Sequence, residues 1–376
     1  MRPTAYLDHN ATSPLRPAAF DAMADAMRVG GNPSSVHASG RRARAIVDKA
    51  RREVASLCAA EPSEIVFTSG GTEANNLALA GSGCRRVLVS AIEHDSVRLA
   101  VPNVEVLPVN GDGVLDLAAL ERTLAASDEP ALISVMLANN ETGVLQPVTE
   151  VVRVARDAGA LVHCDAVQGA GKVPVHLRDL GVDYLSVSAH KIGGPTGVGA
   201  LVVRKGAPLS PALRGGGQEF NRRAGTENVA GIAGFGAAAM LAAPGLDLKA
   251  LRDRLELSLV QIAAGARVFG AEVPRLCNTS CISMPGVPAE TQVVALDLAG
   301  VCISAGAACS SGKVQRSPVL EAMGVPAAEA ACASRISLGW NTGASDIESL
   351  IAAWQNLYTR VSKSGIFPTE SRARAA

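Results

Sequence analysis

The sequence predicts an α/β fold, with a large domain built on a mostly parallel sheet and a smaller α+β domain after it. Three patterns carry that prediction. From Arg16 to about Gly245, short β-rich runs alternate with helical ones, the signature of βαβ units. Two of those runs, 132–137 and 161–164, are almost continuously apolar, as strands covered by helices on both faces must be. After Pro244-Gly245 the alternation gives way to a long amphipathic helix.

Taken in order, residues 1–15 form an N-terminal segment expected to pack on the domains, and 16–245 form the large domain. Glu64-Ile65-Val66-Phe67 reads as a strand, Ser69-Gly70-Gly71-Thr72 as a turn, and 73–80 as a helix. Strands follow at 86–90 and 104–109, then a helix at 116–126. The strand at 132–137, the helix at 148–158 and the strand at 161–164 continue the alternation. The smaller domain, 246–362, holds helices at 246–264, 291–299 and 346–359 and a strand at 279–284. Residues 363–376 mix Ser, Arg, Pro and Ala and are expected to fray.

Composition narrows the function. The chain has 376 residues, enough for two or three domains of roughly 100–200 residues each. Thirty-five basic residues balance 35 acidic ones, and aromatics make up 3%, which argues against a nucleic-acid binder. No apolar run is long enough to span a membrane, and the first residues lack the apolar centre of a signal peptide, so a cytoplasmic location is expected. Eight cysteines include no C-x-x-C pair, and most read as small core residues. His9, His37, His163 and His176 show no metal-ligand spacing, so no resident metal is expected.

Three features point to one chemistry. In Ser188-Ala189-His190-Lys191-Ile192-Gly193-Gly194 a lysine follows a β-run, at the strand end where α/β sheets place ligands. A lone lysine there is ordinarily a solvated loop residue. Upstream, however, the apolar strand ending His163-Cys164-Asp165 closes on a carboxylate, and Ser69-Gly70-Gly71-Thr72 opens a helix whose N–H groups suit a phosphate. A Schiff-base lysine, a carboxylate for a ring nitrogen and a phosphate cradle are what pyridoxal 5′-phosphate (PLP) needs.

The signatures Phe67-Thr68-Ser69-Gly70-Gly71-Thr72-Glu73-Ala74-Asn75-Asn76, Asn139-Asn140-Glu141-Thr142-Gly143, Ser188-Ala189-His190-Lys191, Gly215-Gly216-Gly217-Gln218-Glu219 and Arg223-Ala224-Gly225-Thr226 complete the picture. With Gly31-Asn32-Pro33-Ser34-Ser35 and Arg335-Ile336-Ser337-Leu338-Gly339 they run almost end to end. The chain resembles the cysteine desulfurases of the NifS/IscS-like group, within the class V aminotransferases and fold-type I PLP enzymes. The resemblance implies a seven-stranded sheet in the large domain and a homodimer.

It also implies roles. Lys191 would hold PLP, Asp165 would pair with the ring nitrogen, and His94 would stack on the ring and assist proton transfer. Gln168 and Asn140 would bond near the ring hydroxyl. Gly71, Thr72, Ser188 and His190 would bind the phosphate, and Thr226 would reach the phosphate of the neighbouring subunit. Asn140 and Arg335 would hold the substrate carboxylate, the arginine through a bidentate pair.

Ser304-Ala305-Gly306-Ala307-Ala308-Cys309-Ser310-Ser311-Gly312 sets one thiol among small residues, where a nucleophile can be exposed and can move. In the desulfurase context Cys309 is the nucleophile that takes sulfur from L-cysteine, releasing L-alanine, and the resulting persulfide can pass to an acceptor thiol. An iron–sulfur scaffold is the expected acceptor, with thiolation as the other outlet, and Cys309 is the candidate for a transient cluster ligand. Ala189 stands where relatives commonly have Gly, and Trp340 where many have a basic residue. The competing readings are another class V PLP enzyme, a selenocysteine lyase or an aminotransferase, and an idle sulfur-transfer scaffold. Intact Lys191, Asp165 and His94 speak against the scaffold.

Overall fold

The computed structural model describes residues 4–242, 248–306 and 316–363. Within them the strands are β1 (Ala5–Tyr6), β2 (Ile65–Thr68), β3 (Arg86–Ser90), β4 (Glu105–Leu107), β5 (Ala131–Met136), β6 (Leu161–Asp165), β7 (Tyr184–Ser188), β8 (Gly199–Val203), β9 (Thr279–Ser283), β10 (Val301–Cys302), β11 (Ser304–Ala305) and β12 (Ala333–Ser337). Seven of them form one sheet in the order β2-β8-β7-β6-β5-β3-β4. The pairs from β7 to β4 are parallel, and β8 alone runs antiparallel to both of its neighbours. The fold is therefore the α/β architecture expected, with a mostly parallel seven-stranded sheet.

Every residue of β2, β3, β5, β7 and β8 is buried, which explains why they are mostly apolar. Burying one Val, Leu or Ile is worth about 1.5–3 kcal/mol, so these strands and the helices over them supply much of the driving force. Helix Pro17–Val29 starts with proline at its first turn, where the missing N–H costs nothing. Helix Val229–Leu241 packs against helix Ala38–Leu57 so closely that a Cβ on Gly236 would meet Ala50 Cα at 2.7 Å.

A second core gathers Leu255, Leu259, Ile282, Met284, Leu296, Ile336, Leu350 and Trp354. It lies between the antiparallel sheet β11-β12-β9 and helices Lys249–Ile262, Ala289–Leu298 and Ala344–Lys363. The N-terminal segment belongs to both halves of the molecule. β1 pairs with β10, Asn10 N donates to Ser337 Oγ at 2.9 Å, and Ser13 N donates to the carbonyl of His190 at 2.8 Å.

Element boundaries shift by a few residues from the sequence reading. The helix expected to run to 264 stops at Ile262, because Ala263 is extended (φ −112°, ψ 99°). The strand expected at 104–109 shrinks to Glu105–Leu107 at the edge of the sheet, where only one neighbour stabilises it. The helix expected from 291 begins at Ala289, directly after Pro288. The last helix spans Ala344–Lys363, longer at both ends than 346–359. The Pro244-Gly245 boundary and the tail beyond 363 lie outside the described residues. Among the described residues no helix is long and apolar enough to cross a membrane.

Candidate active site

Register brings the catalytic candidates to one edge of the large sheet. Asp165, the last residue of β6, pairs with Ser186 of parallel β7, two residues before β7 ends at Ser188, so both strands finish at the same edge of the sheet. Thr68 of β2 and Ser188 of β7 both pair with Gly199 of β8. Because β8 is antiparallel to both, β2 runs with β7, and the Gly70-Gly71 turn that follows β2 lands beside Ser188. A cavity of about 310 Å³ opens at this edge, within the range of about 300–1,000 Å³ usual for small-ligand sites. Gly71, Thr72, His94, Asn140, Asp165, Gln168, Ser188, His190, Lys191 and Arg335 all line it. A larger but more open groove lies elsewhere, lined by Glu290, Val294, Leu298 and Arg360, without a comparable set of convergent polar groups.

Asp165 is buried, and its two oxygens accept from Val167 N at 2.9 Å and Asn75 Nδ2 at 2.7 Å. The same Asn75 amide nitrogen donates to Ser96 Oγ (2.9 Å), which lies 2.8 Å from His94 Nδ1. Nδ1 also accepts from Ser96 N at 3.0 Å, so a neutral His94 ring carries its proton on Nε2. A hydrogen-bonded line thus joins the carboxylate to the imidazole through Asn75 and Ser96. Neither intermediary has a role in the sequence reading. The available signal for Asn75 is its spacing of four from Gly71 on one helix, which stacks it over the same end of the sheet. Beside Asp165 lies Glu93, whose carboxyl burial raises well above the usual carboxylate range.

Lys191 follows β7 on a single turn of 3₁₀ helix, Ala189–Lys191, and its Nζ donates to the carbonyls of Asn10 (2.6 Å) and Ala11 (2.9 Å). The adjacent His190 has its pKa drawn down to about 4, by burial first and by the Lys191 charge second. Gln168 Nε2 donates to the Asn10 carbonyl at 2.9 Å. The Asn140 carbonyl accepts from Arg335 Nη1 (3.2 Å) and Asn10 Nδ2 (3.2 Å). Its neighbour Asn139 shapes that turn by accepting from the backbone N–H groups of Glu141 and Thr142. Arg335 is 2% exposed, far from the solvated arginine that its residue type alone would suggest. Asn10 joins Lys191, Gln168 and Asn140, a role the sequence reading left unassigned.

The residues fit PLP on three counts. Helix Gly71–Gly81 begins without a side-chain cap, so its first N–H groups are open to a phosphate. A Cβ on Gly71 would press on Val167 Cγ2 at 2.9 Å, so only glycine lets the backbone approach here. Ser188 Oγ is buried with no partner among the described residues, as is Arg335 Nε, and both are donors that anionic ligand groups would satisfy. Thr226 is exposed and does not line this cavity. Cys309 lies outside the described residues. No group of three or more His, Cys, Asp or Glu able to hold a metal occurs among those described.

Comparison with known proteins agrees with this geometry. Residues 5–350 match the aminotransferase class-V family. A cysteine desulfurase of Cereibacter sphaeroides is 46% identical over 363 residues, covering 92% of this chain and 93% of that protein. The solved NifS-like protein of Rickettsia africae superposes with a TM-score of 0.87 at 37% identity, over 95% of this chain and 99% of its own. SspA, solved in complex with cysteine, superposes with a TM-score of 0.77 at 29% identity, over 89% of this chain and 98% of its own.

Proposed function

Because the chain belongs to the class-V aminotransferases, and within them to the cysteine desulfurases, we propose that it uses PLP to move the sulfur of L-cysteine onto Cys309 and release L-alanine. The single observation that carries this reading is the convergence of Lys191, Asp165, His94 and Arg335 on one cavity beside an uncapped helix N-terminus. The cysteine complex of the structural relative SspA adds support for the substrate.

PLP, when bound, supplies the electron sink that makes the substrate's α-proton acidic and its carbon–sulfur bond labile. Lys191 would anchor the cofactor covalently, Asp165 would hold its ring nitrogen, and Gly71, Thr72, Ser188 and His190 would hold its phosphate. Arg335 and Asn140 hold the substrate carboxylate: Arg335 Nε has no partner among the described residues, and Nη1 and Nη2 each keep a second N–H beyond their bonds to Asn140 and Asp8. His94 is held by Ser96 with Nε2 as the atom that gives or takes a proton.

The thiolate of Cys309 attacks the substrate sulfur. A sulfur–sulfur bond forms as the Cβ–Sγ bond breaks, and the electron pair stays with the carbon fragment, which takes up a proton and leaves as alanine. L-cysteine and a protein thiol thus become L-alanine and a protein persulfide, with no other oxidant or reductant. The outer sulfur then passes to an acceptor thiol, such as that of an iron–sulfur scaffold or a thiolation partner.

A homodimer completes the reading, with Thr226 serving the neighbour's phosphate. Its exposure supports that, as do exposed apolar side chains on the helices at one side of the sheet: Phe20 and Met27 on Pro17–Val29, and Met240 on Val229–Leu241.

The test is release of alanine and sulfide from L-cysteine with a reductant, comparing the wild type with Cys309→Ala. Equal amounts of both products, falling at least a hundredfold in the variant while PLP stays bound, are expected. Unchanged turnover in the variant would overturn the persulfide step and favour an aminotransferase or another lyase chemistry.

A further inference from the structure

Lys172 stands four residues beyond Gln168, and its Nζ donates to Gln168 Oε1 at 3.0 Å and to Asn10 Oδ1 at 3.2 Å. Both partners are amide oxygens, which only accept, so the lysine is the donor in each bond. It therefore draws the oxygen of the Gln168 amide toward itself and turns the amide nitrogen the other way. One N–H of that nitrogen goes to the Asn10 carbonyl at 2.9 Å, and that carbonyl also accepts Lys191 Nζ at 2.6 Å. Asn10 cannot turn to relieve the arrangement. Its Nδ2 donates to Asn140 O (3.2 Å) and Thr279 Oγ1 (2.9 Å), and its Oδ1 accepts from Asn278 Nδ2 (3.2 Å) as well as from Lys172.

Such a lysine sits at some cost. The residue as a whole is of intermediate exposure, yet its charged end is enclosed enough that desolvation brings its pKa down to about 7, with repulsion from Lys191 adding to the effect. Lys172 also lines a small cavity of about 40 Å³ together with Lys191, His9, Cys277 and Asn278.

We propose that Lys172 is a positioning residue that locks the Gln168 amide with its nitrogen committed to donation, so that this edge of the cavity accepts only a ligand oxygen with a free lone pair. The proposal rests on the reading of the cavity as a PLP site. The ligand atom would be the ring oxygen, taken without its proton. Lys172 touches neither ligand nor reacting atoms, and it acts through Gln168 and Asn10.

The test is titration of apo-protein with PLP, following the visible absorption of the lysine-bound cofactor, for the wild type, Lys172→Met, Gln168→Ala and the double variant. Each single substitution should weaken the Kd about tenfold, the scale of one hydrogen bond whose buried partner is left unsatisfied. The double variant should also be only about tenfold weaker, because the lysine works through the glutamine. Lys172→Gln can offer either amide end, so it should fall between wild type and Lys172→Met, and it can replace Lys172→Met in the same cycle if that variant does not fold. Wild-type affinity in the Lys172 variants, or a double variant weakened by the product of the two single effects, would overturn the proposal. A wild-type protein that takes up no PLP would instead overturn the cavity reading, and this proposal with it.

Discussion

Arg335 Nη2 donates to Asp8 Oδ1 at 2.8 Å, so the arginine proposed to hold a substrate carboxylate is itself held by a carboxylate of the N-terminal segment. The pair joins β12 to the strand-like segment that follows β1, and the Asn140 carbonyl takes a second N–H of the same guanidinium. Two donors are thus spent on fixing the group in place, while Nε keeps no partner among the described residues.

Arg335→Lys keeps the charge beside Asp8 but loses the planar fork of donors. The KM for L-cysteine should rise roughly tenfold or more with PLP binding little changed, since one charge-assisted hydrogen bond is worth about 1.5–3 kcal/mol. Steady-state kinetics with a parallel cofactor titration checks it. A loss confined to kcat would show that Arg335 does not hold the ground-state substrate.

A second prediction concerns stability. Arg51 and Glu219 form a buried two-bond pair (2.8 and 2.7 Å), Arg51 also donates to the Ile65 carbonyl, and Glu219 accepts the backbone N–H of Phe67. The pair clamps helix Ala38–Leu57 to β2 and to the segment after Gly217. Glu219→Ala leaves an uncompensated buried guanidinium, which should cost about 3–5 kcal/mol. Denaturant unfolding should show a clearly lowered midpoint, whereas a midpoint equal to the wild type's would mean that water reaches Arg51.

The pH dependence of stability has an identifiable contributor in His163. It is fully buried between Ser134 Oγ (2.8 Å) and Ser186 Oγ (2.9 Å), and burial draws its pKa from 6.5 down to about 3. The unfolded chain therefore binds a proton at this residue below pH 6.5 that the folded chain refuses down to about pH 3. Folding stability is lost across that window as pH falls, at up to about 1.4 kcal/mol per unit. His163→Leu removes this contribution. At pH 7 the variant should be the less stable protein, and its deficit should shrink as pH drops from 6.5 to 5. Urea unfolding at several pH values measures this, and a constant deficit would contradict it. Comparison with the variant is needed because Glu141, whose pKa burial raises to about 7, titrates with the opposite sign.

Most of the α/β order, and the part of the cavity lining around Gly71, Asp165 and Lys191, were legible because they are written in local signals, whereas His94, Asn140, Gln168, His190 and Arg335 came from the family resemblance. Apolar runs mark β5 and β6, a Gly-Gly turn marks the start of helix Gly71–Gly81, and small polar residues before Lys191 mark a strand end. Asn75, Ser96, Asn10 and Lys172 were not legible as site residues. An asparagine or serine inside an ordinary run has no periodicity of its own, and its meaning comes only from the partner opposite.

His94 and Arg335 came from the family resemblance; by itself the sequence determined the alternation of strands and helices and marked Lys191, Asp165 and the Gly70-Gly71 turn as candidates for one site. Those follow from the order of residue types along the chain, which sets secondary structure and side-chain chemistry locally. Only the tertiary structure decided that β8 runs antiparallel, and so that the turn after β2 meets Ser188 at the same sheet edge as Asp165. It also decided that Asn10, 181 residues before Lys191, supplies the carbonyl on which that lysine rests. Strand direction and long-range hydrogen bonds depend on how distant segments share one core, and no local pattern encodes that choice.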